Sequence, residues 1–347
     1  MHDRVRTALV VVALGLGCSG GWLAIAAEPG GSGLGEPRTD LSAADLAAFH
    51  EGKRRFMDRL PGLGPLFNDA SCSDCHFTPT IGGSGSLEHV AMMAPSHDEF
   101  DAFRRHALPG WTVPKPPANV SRRVPPSLYG LALIEQIPDD TIRAACAASG
   151  GHVDSAKNQG SLPRNEVARF GMKPFLGTVR DFVASALAGE SSVTTALEGS
   201  KDDDAFPDPE VDQAFVDSLA AYVRGLRSPP RDGNDADGEA AFKSFGCARC
   251  HVPDMPPAMG VYSDFCLHRM GEALADGIFD HEAKGDEFRA TPLWGLRLRS
   301  VYLHDGRATT LHDAISAHGG AASGAVDAYR AAAEEQRAAL LRFLKTL

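Results

Sequence analysis

Two short stretches of the sequence share one frame: CSDCH at residues 72–76 and CARCH at residues 247–251. Each stretch places two cysteines three positions apart and a histidine directly after the second cysteine. Together they hold four of the seven cysteines in this chain of 347 residues. Because the frame occurs once in each half of the chain, it predicts two sites of the same chemistry.

This frame is the attachment signal for c-type haem. Two thiols three positions apart can each form a thioether with a haem vinyl group, and the imidazole that follows can then reach the iron as its proximal ligand. We therefore predict two covalently bound haem c groups. The predicted attachment and ligand residues are Cys72, Cys75, His76, Cys247, Cys250 and His251.

Two Cys-x-x-Cys pairs also occur in zinc ribbons and in redox dithiols. About 170 residues separate the two pairs here, whereas the pairs of a zinc ribbon lie roughly 15–20 residues apart. A histidine also follows both pairs, although the whole chain has only 13 histidines. Both observations favour haem.

The N-terminus is typical of an exported protein. Arg4 and Arg6 precede an apolar run at residues 8–26 that ends in small residues, so residues 1–26 are predicted to form a signal peptide. Residues 27–40 are expected to be a flexible spacer. Haem c is attached on the oxidising side of a membrane, which agrees with a periplasmic location. A retained N-terminal membrane anchor is the alternative, and it is the only contact with a membrane that we expect.

The fold is predicted to be mainly α, with two cytochrome c-like domains, each around one haem, and long loops. Pro, Gly and Asp are concentrated between the halves, so the N-terminal domain should span residues 41–231 and the C-terminal domain residues 232–347. The first domain is enlarged and can build walls around a pocket. Apolar spacing predicts helices at residues 43–59, 139–148, 176–187, 211–226, 238–245 and 326–347.

Charge and composition limit the partners. The chain has 45 acidic and 34 basic residues and a net charge of −11, so nucleic acid is not an expected partner. An acidic turn at residues 200–210 is interpreted as a solvated loop, with a calcium site as the alternative. Cys146 and Cys266 are interpreted as two buried small side chains; a disulfide between them is the alternative.

Further segments carry a family resemblance. The sequence is similar to the peroxidase-type di-haem oxidoreductases, a branch of the bacterial di-haem cytochrome c peroxidase and MauG superfamily. Met172 stands where that family usually has Trp, and Arg269 where it usually has Asp. The segments that carry the resemblance are GLGPLFNDASCSDCH (62–76), RRVPPSLYGLALIEQIP (122–138), RFGMK (169–173), TPLWGL (291–296) and LHDGRATTLHDAISAHGG (303–320).

The resemblance implies an enzyme that reduces hydrogen peroxide, or another small oxidant, at the N-terminal haem. The C-terminal haem would relay electrons from a donor protein such as a small cytochrome. Two alternatives stay open. One is MauG-like or rubber-oxygenase-like oxidation of a protein or organic substrate, and the other is a di-haem cytochrome that only transfers electrons.

The resemblance also implies sixth ligands. Counting from His304 places His318 where the peroxidases have an axial Met, so His318 is predicted to be the sixth ligand of the second haem. The segment TLHD at residues 310–313 has the form of a capping box, which predicts a short helix that ends at Gly319 and Gly320 and has His318 in its last turn. The first haem is expected to be open, with His89 as the alternative sixth ligand.

Cleavage of peroxide requires a group that moves a proton near the iron. Glu135 and Gln136 occupy the matching stretch of the family pattern, and two adjacent residues cannot both face the iron. We predict Glu135 as the catalytic acid and base. The alternative is a structural glutamate at a helix N-terminus.

Overall fold

A computed structural model describes residues 33–95, 100–103, 105–113, 115, 120–157, 165–197 and 207–347, with backbone alone for 91–95 and 100–103. The chain from Ser32 to Leu347 is one compact unit. The predicted signal peptide, residues 27–32 of the predicted spacer and residues 200–206 of the acidic turn lie outside the described residues. Within the described part, every helix is too short or too polar to cross a lipid bilayer.

Helices dominate the regular structure of the described residues, but the fold is mixed rather than only helical. The helices are α1 (Ala43–Met57), α2 (Cys72–Cys75), α3 (Leu131–Glu135), α4 (Asp139–Ser149), α5 (Val179–Ser191), α6 (Gln213–Gly225), α7 (Ala236–Ser244), α8 (Leu311–Ala317), α9 (Ser323–Ala331) and α10 (Glu334–Leu344). The strands are β1 (Leu66–Phe67), β2 (Ala91–Pro95), β3 (Phe100–Phe103), β4 (His106–Ala107), β5 (Ser121–Arg123), β6 (Leu267–Arg269) and β7 (Glu287–Arg289). They pair in antiparallel sheets of order β1-β4, β3-β2-β5 and β6-β7.

In the first half, α1 packs across α6. The rings of Phe49 and Phe56 lie 5.1 Å and 4.9 Å from the ring of Tyr222. The helices approach closely because Gly52 has no side chain: a Cβ there would lie 2.0 Å from the carbonyl oxygen of Ser218. The helix that precedes the first motif therefore rests on the helix that closes the same half.

The second half repeats this arrangement with α7 and α10. The ring of Phe242 lies 5.3 Å from that of Phe343, and a Cβ on Gly238 would lie 2.3 Å from the carbonyl oxygen of Ala339. Asp235 caps α7 by accepting a hydrogen bond from the Gly238 N–H at 2.8 Å. Both Cys-x-x-Cys-His motifs thus follow a helix that is held by close backbone packing.

The predicted helix at residues 326–347 is wrong in one respect, since the structure divides it into α9 and α10. Ala332 and Ala333 are extended between the two helices. The Gln336 side chain accepts from the Ala333 N–H at 3.3 Å, and Arg337 donates to the Ala332 carbonyl at 2.9 Å. These bonds satisfy backbone groups that helix ends leave unpaired, so the break needs no Pro or Gly.

A disulfide joins Cys146 of α4 to Cys266, which directly precedes β6. The interpretation of these cysteines as two separate buried side chains is therefore wrong. Beside this bond, His152 and Leu267 exchange two backbone hydrogen bonds of 2.8 Å and 3.2 Å. These contacts link the two halves, and a domain boundary at residues 231–232 stays a prediction.

Candidate haem sites

The second motif opens onto a cavity of about 430 Å³. Cys247, Cys250 and His251 line it, and a short 3-10 helix over Cys247–Arg249 presents them. Nδ1 of His251 lies 3.1 Å from the carbonyl oxygen of Tyr262. A carbonyl can only accept, so this nitrogen carries the proton and Nε2 keeps its lone pair. Burial, together with the nearby His318, lowers the pKa of His251 to about 4, which keeps the imidazole neutral.

His318 enters the same cavity from the end of α8. Thr310 caps the start of α8 by accepting from the Asp313 N–H at 3.0 Å, and His318 follows the last helical residue. Its Nδ1 donates to the Ala314 carbonyl at 2.7 Å, and burial lowers its pKa. Two neutral imidazoles, each with Nε2 available as a ligand, therefore line one cavity.

The remaining walls suit a large apolar macrocycle. Side chains from the second half make up most of the lining, while Pro125 and Pro126 of the first half close one side and Met172 contributes another wall position. The apolar side chains include Phe242, Phe245, Leu296, Ile315, Val326 and Leu340. Free thiols, neutral imidazoles and apolar walls are the donor set and the surroundings that a covalently attached haem requires.

The first motif has the same local geometry around its histidine. Helix α2 begins at Cys72 and ends at Cys75. Nδ1 of His76 donates to the Gly83 carbonyl at 3.1 Å. Burial lowers the pKa of His76. The ring of Phe56 in α1 lies 6.3 Å from the His76 ring. The packing of α1 on α6 therefore places an aromatic side chain beside this histidine.

The four motif cysteines are free thiols. Burial raises the pKa of Cys72 to about 12 and that of Cys247 to about 11. Redox-active dithiols depend on a lowered thiol pKa. The pKa values of Cys72 and Cys247 are therefore the opposite of those of a redox dithiol.

Beside the first motif, Asp69 is the centre of a polar cluster. Its Oδ2 accepts from Cys75 Sγ at 3.0 Å and from Nδ1 of His89 at 3.2 Å, and the Arg105 guanidinium also contacts it. The structure therefore brings His89 close to the first motif. Its role as sixth ligand stays a prediction.

His268 and Asp264 form a buried pair that the sequence did not single out. Nε2 of His268 lies 2.9 Å from Asp264 Oδ2, and its Nδ1 lies 3.9 Å from the sulfur of Cys250. Burial lowers the pKa of His268, but the hydrogen bonds with Asp264 and Cys250 and the charges of these two groups together outweigh burial and raise the pKa to about 9. Asp264 thus gives His268 an acidic partner, although Arg269 stands at the position where the similar sequences usually have Asp. No local pattern predicts this pair, because four-residue spacing brings side chains together in a helix, whereas Asp264 lies in an irregular segment and His268 in β6.

The Glu135 side chain is buried and fully engaged in hydrogen bonds with Arg224 and the backbone. Its carboxylate accepts two hydrogen bonds of 2.7 Å from Arg224. It also accepts from the Val179 N–H at 2.8 Å, at the N-terminus of α5. Gln136 is exposed, so the two adjacent residues do point to different surroundings. Neither lines the cavity of the second motif, and a catalytic role for either stays a prediction.

Comparison with known proteins finds one family model that matches the C-terminal part of the chain. Residues 182–347 match the family model described as "Di-haem oxidoreductase, putative peroxidase". Over these residues, just under half of the chain, the sequence is similar to the di-haem oxidoreductases. The resemblance seen in the sequence is confirmed for this part of the chain, which contains the second motif and His318. The family supports an oxidoreductase that uses haem.

Two solved structures are similar to this chain at low identity. Hydrazine synthase of Kuenenia stuttgartiensis is 16% identical, with a TM-score of 0.49, over 96% of this chain and 100% of that one. A MauG-like protein associated with microbial copper homeostasis is 19% identical, with a TM-score of 0.42, over 90% and 92% of the two chains. A search of curated proteins finds no match.

Proposed function

We propose that the chain is an exported di-haem oxidoreductase of the peroxidase type, built from two cytochrome c-like halves that each hold one covalently attached haem. It reduces hydrogen peroxide at the haem of His76. Electrons arrive from a small donor protein through the haem of His251 and His318. The family match supports the class of enzyme, and the residues around the two motifs support the division of roles.

One observation carries this proposal: His251 and His318 face a single cavity, and each commits its Nδ1 proton to a backbone carbonyl. Metal-ligating histidines are held in this way, because the hydrogen bond sets both the tautomer and the ring orientation. His76 shows the same bond to Gly83. These three imidazoles are therefore held as ligands would be, and two of them lie at one site.

The number of histidine ligands at each site distinguishes the proposed electron-storing haem from the proposed oxidant-binding haem. A bound haem supplies one-electron transfer and, where a coordination position is open, the binding of a small oxidant. His251 and His318 would occupy both axial positions at the second site, which suits electron storage. Imidazole in place of a Met ligand lowers the reduction potential.

Mass spectrometry of the purified mature protein tests attachment first. We expect the added mass of two haems, loss of one in C72A/C75A, and loss of the other in C247A/C250A. Addition of carbon monoxide to the reduced protein should then change the spectrum of the His76 haem and leave the other unchanged. Sequencing of the mature N-terminus tests export. A protein without covalent haem would overturn the proposal.

Turnover separates the peroxidase from the other enzymatic alternative. A reduced small cytochrome should be oxidised when peroxide is added, and more slowly by His318→Ala than by the wild-type protein. Oxidation of a protein or organic substrate without peroxide-dependent oxidation of the cytochrome would instead favour a MauG-like or rubber-oxygenase-like activity.

A di-haem cytochrome that only transfers electrons is the second candidate. One observation favours it: Nδ1 of His89 bonds to Asp69 beside Cys75, and this hydrogen bond resembles those of the other candidate ligands. If His89 closes the first iron, the wild-type protein will not bind carbon monoxide in either redox state. His89→Ala will then bind it. Binding by the wild-type protein would exclude this candidate.

A further inference from the structure

Two arginines face the cavity of the second motif without acidic partners. Arg289 lies at the end of β7, and Arg299 follows a 3-10 helix over Leu296–Leu298. Both line the cavity and both are half-buried. Among the described residues, no carboxylate lies within ion-pair distance of either guanidinium.

Each arginine has donors left over. Arg289 donates through Nη1 to the Arg169 carbonyl, while its buried Nε has no hydrogen-bond partner. Arg299 donates through Nη2 to the Pro292 carbonyl at 3.2 Å. A guanidinium has five N–H donors in a planar fork, so most of these donors are not used by the described part of the chain.

Other buried cations of this fold are neutralised by acids. Lys173 lies 2.8 Å from Asp276, and Arg169 contacts Asp139. A buried charge without a partner carries a large desolvation cost. The absence of an acid beside both cavity arginines therefore indicates an anion that comes with the occupant of the cavity.

The positive charges of the two arginines also repel each other. Burial, and then the charge of Arg299, lower the pKa of Arg289 to about 10; burial also lowers the pKa of Arg299. A guanidinium stays protonated in proteins, so two like charges share one poorly solvated wall. Two negative charges would relieve both the repulsion and the loss of solvation.

We propose that Arg289 and Arg299 bind the two propionate carboxylates of the haem held at the second motif. The inference rests on the proposed function, since it requires a haem in this cavity. A haem carries two carboxylates, which matches the number of unpaired guanidinium groups. Arginine binds carboxylate through paired, charge-assisted hydrogen bonds, so these residues would fix the rotation of the ring that the thioethers attach.

The test uses the full-length, haem-loaded protein with Arg289→Gln, Arg299→Gln and the double variant. Loss of a positive charge beside the haem stabilises the oxidised iron. Spectroelectrochemistry should therefore show a lower midpoint potential for the second haem, lowest in the double variant, and an unchanged potential for the first. Arg307→Gln is the matched control, because Arg307 lies in the same region but already pairs with Asp305 at 2.6 Å.

Lysine variants provide a second test in case the glutamine variants fail to fold or bind haem. Arg289→Lys and Arg299→Lys retain the charge but lose the fork, so we expect little change in potential and a shifted propionate band in the resonance Raman spectrum. An unmoved propionate band in both lysine variants would overturn the inference.

The failures of the two proposals are distinguishable. A wild-type protein without covalent haem would overturn the proposed function and this inference together. Two attached haems with unchanged potentials in the double glutamine variant would overturn this inference alone. A titration with succinate is a second test of this inference. If succinate shifts the haem spectrum of the wild-type protein but not that of the double variant, the arginines bind an external carboxylate and the inference is overturned.

Discussion

Gly238 rests directly on the backbone of Ala339: a Cβ at this glycine would lie 2.3 Å from the Ala339 carbonyl oxygen. The same relation holds between Gly52 and Ser218 in the other half, at 2.0 Å. In each case the glycine lies in the helix that leads to a haem motif. The two helix crossings therefore hold the motifs in place.

We expect Gly238→Ala to lower the free energy of unfolding by about 2 kcal/mol, because the added methyl group forces α7 away from α10. Urea unfolding of the haem-loaded protein measures this. Gly189→Ala is the matched control, since nothing lies within 4 Å of its Cβ position in α5. There the substitution should stabilise the protein by about 0.5–1 kcal/mol. Equal effects at both sites would contradict the packing argument.

Glu135→Gln distinguishes a structural glutamate from a catalytic one. The substitution breaks the ion pair with Arg224 and weakens the bond to the Val179 N–H. Loss of one partner of a buried ion pair costs about 3–5 kcal/mol, and partial exposure of Arg224 reduces the expected loss to about 2 kcal/mol. Peroxide turnover per haem should stay within about twofold of the wild-type rate. A loss of about 100-fold or more, the scale of a missing general acid or base, would restore the catalytic role.

The disulfide between Cys146 and Cys266 closes a loop of 120 residues. We expect the double variant C146S/C266S to lose about 2–5 kcal/mol of stability, measured by urea unfolding. Thiol titration of the denatured wild-type protein after signal-peptide removal should detect no free thiol, because four cysteines would be thioethers and two form the disulfide. Two titratable thiols would contradict the disulfide.

Asp154 predicts a pH dependence of stability. This side chain is 2% exposed. Burial, then the neighbouring Glu282 carboxylate and the negative charge of Asp280, raise its pKa to about 7. Between the unfolded pKa near 3.8 and the folded pKa, only the folded form keeps the proton, so stability falls as pH rises through this window.

Asp154→Asn should remove this pH dependence. Each pH unit over which only the folded form binds the proton is worth about 1.4 kcal/mol. We therefore expect the variant to lose about 2 kcal/mol less than the wild-type protein between pH 4 and pH 8. Chemical denaturation across this range measures the difference. Parallel stability curves for the two proteins would show that Asp154 stays ionised.

Much of the helical framework could be predicted from periodicity. The helices on either side of each motif follow apolar spacing, and the start of α8 follows from the Thr310 cap. The short strands could not be predicted in this way, because strands of two to five residues have too few positions to show an alternating pattern. The break between α9 and α10 was also missed, since side-chain bonds from Gln336 and Arg337 create it.

The sequence by itself determined the local chemistry: two thiols and an imidazole within one turn of chain at residues 72–76 and 247–251. That arrangement depends only on covalent spacing. The tertiary structure decided which distant residues meet, including Cys146 with Cys266, Glu135 with Arg224, and His251 with His318 in one cavity. Such partners depend on how the helices pack, because residues far apart in sequence come together only when burial of apolar surface outweighs the entropy of closing the chain between them.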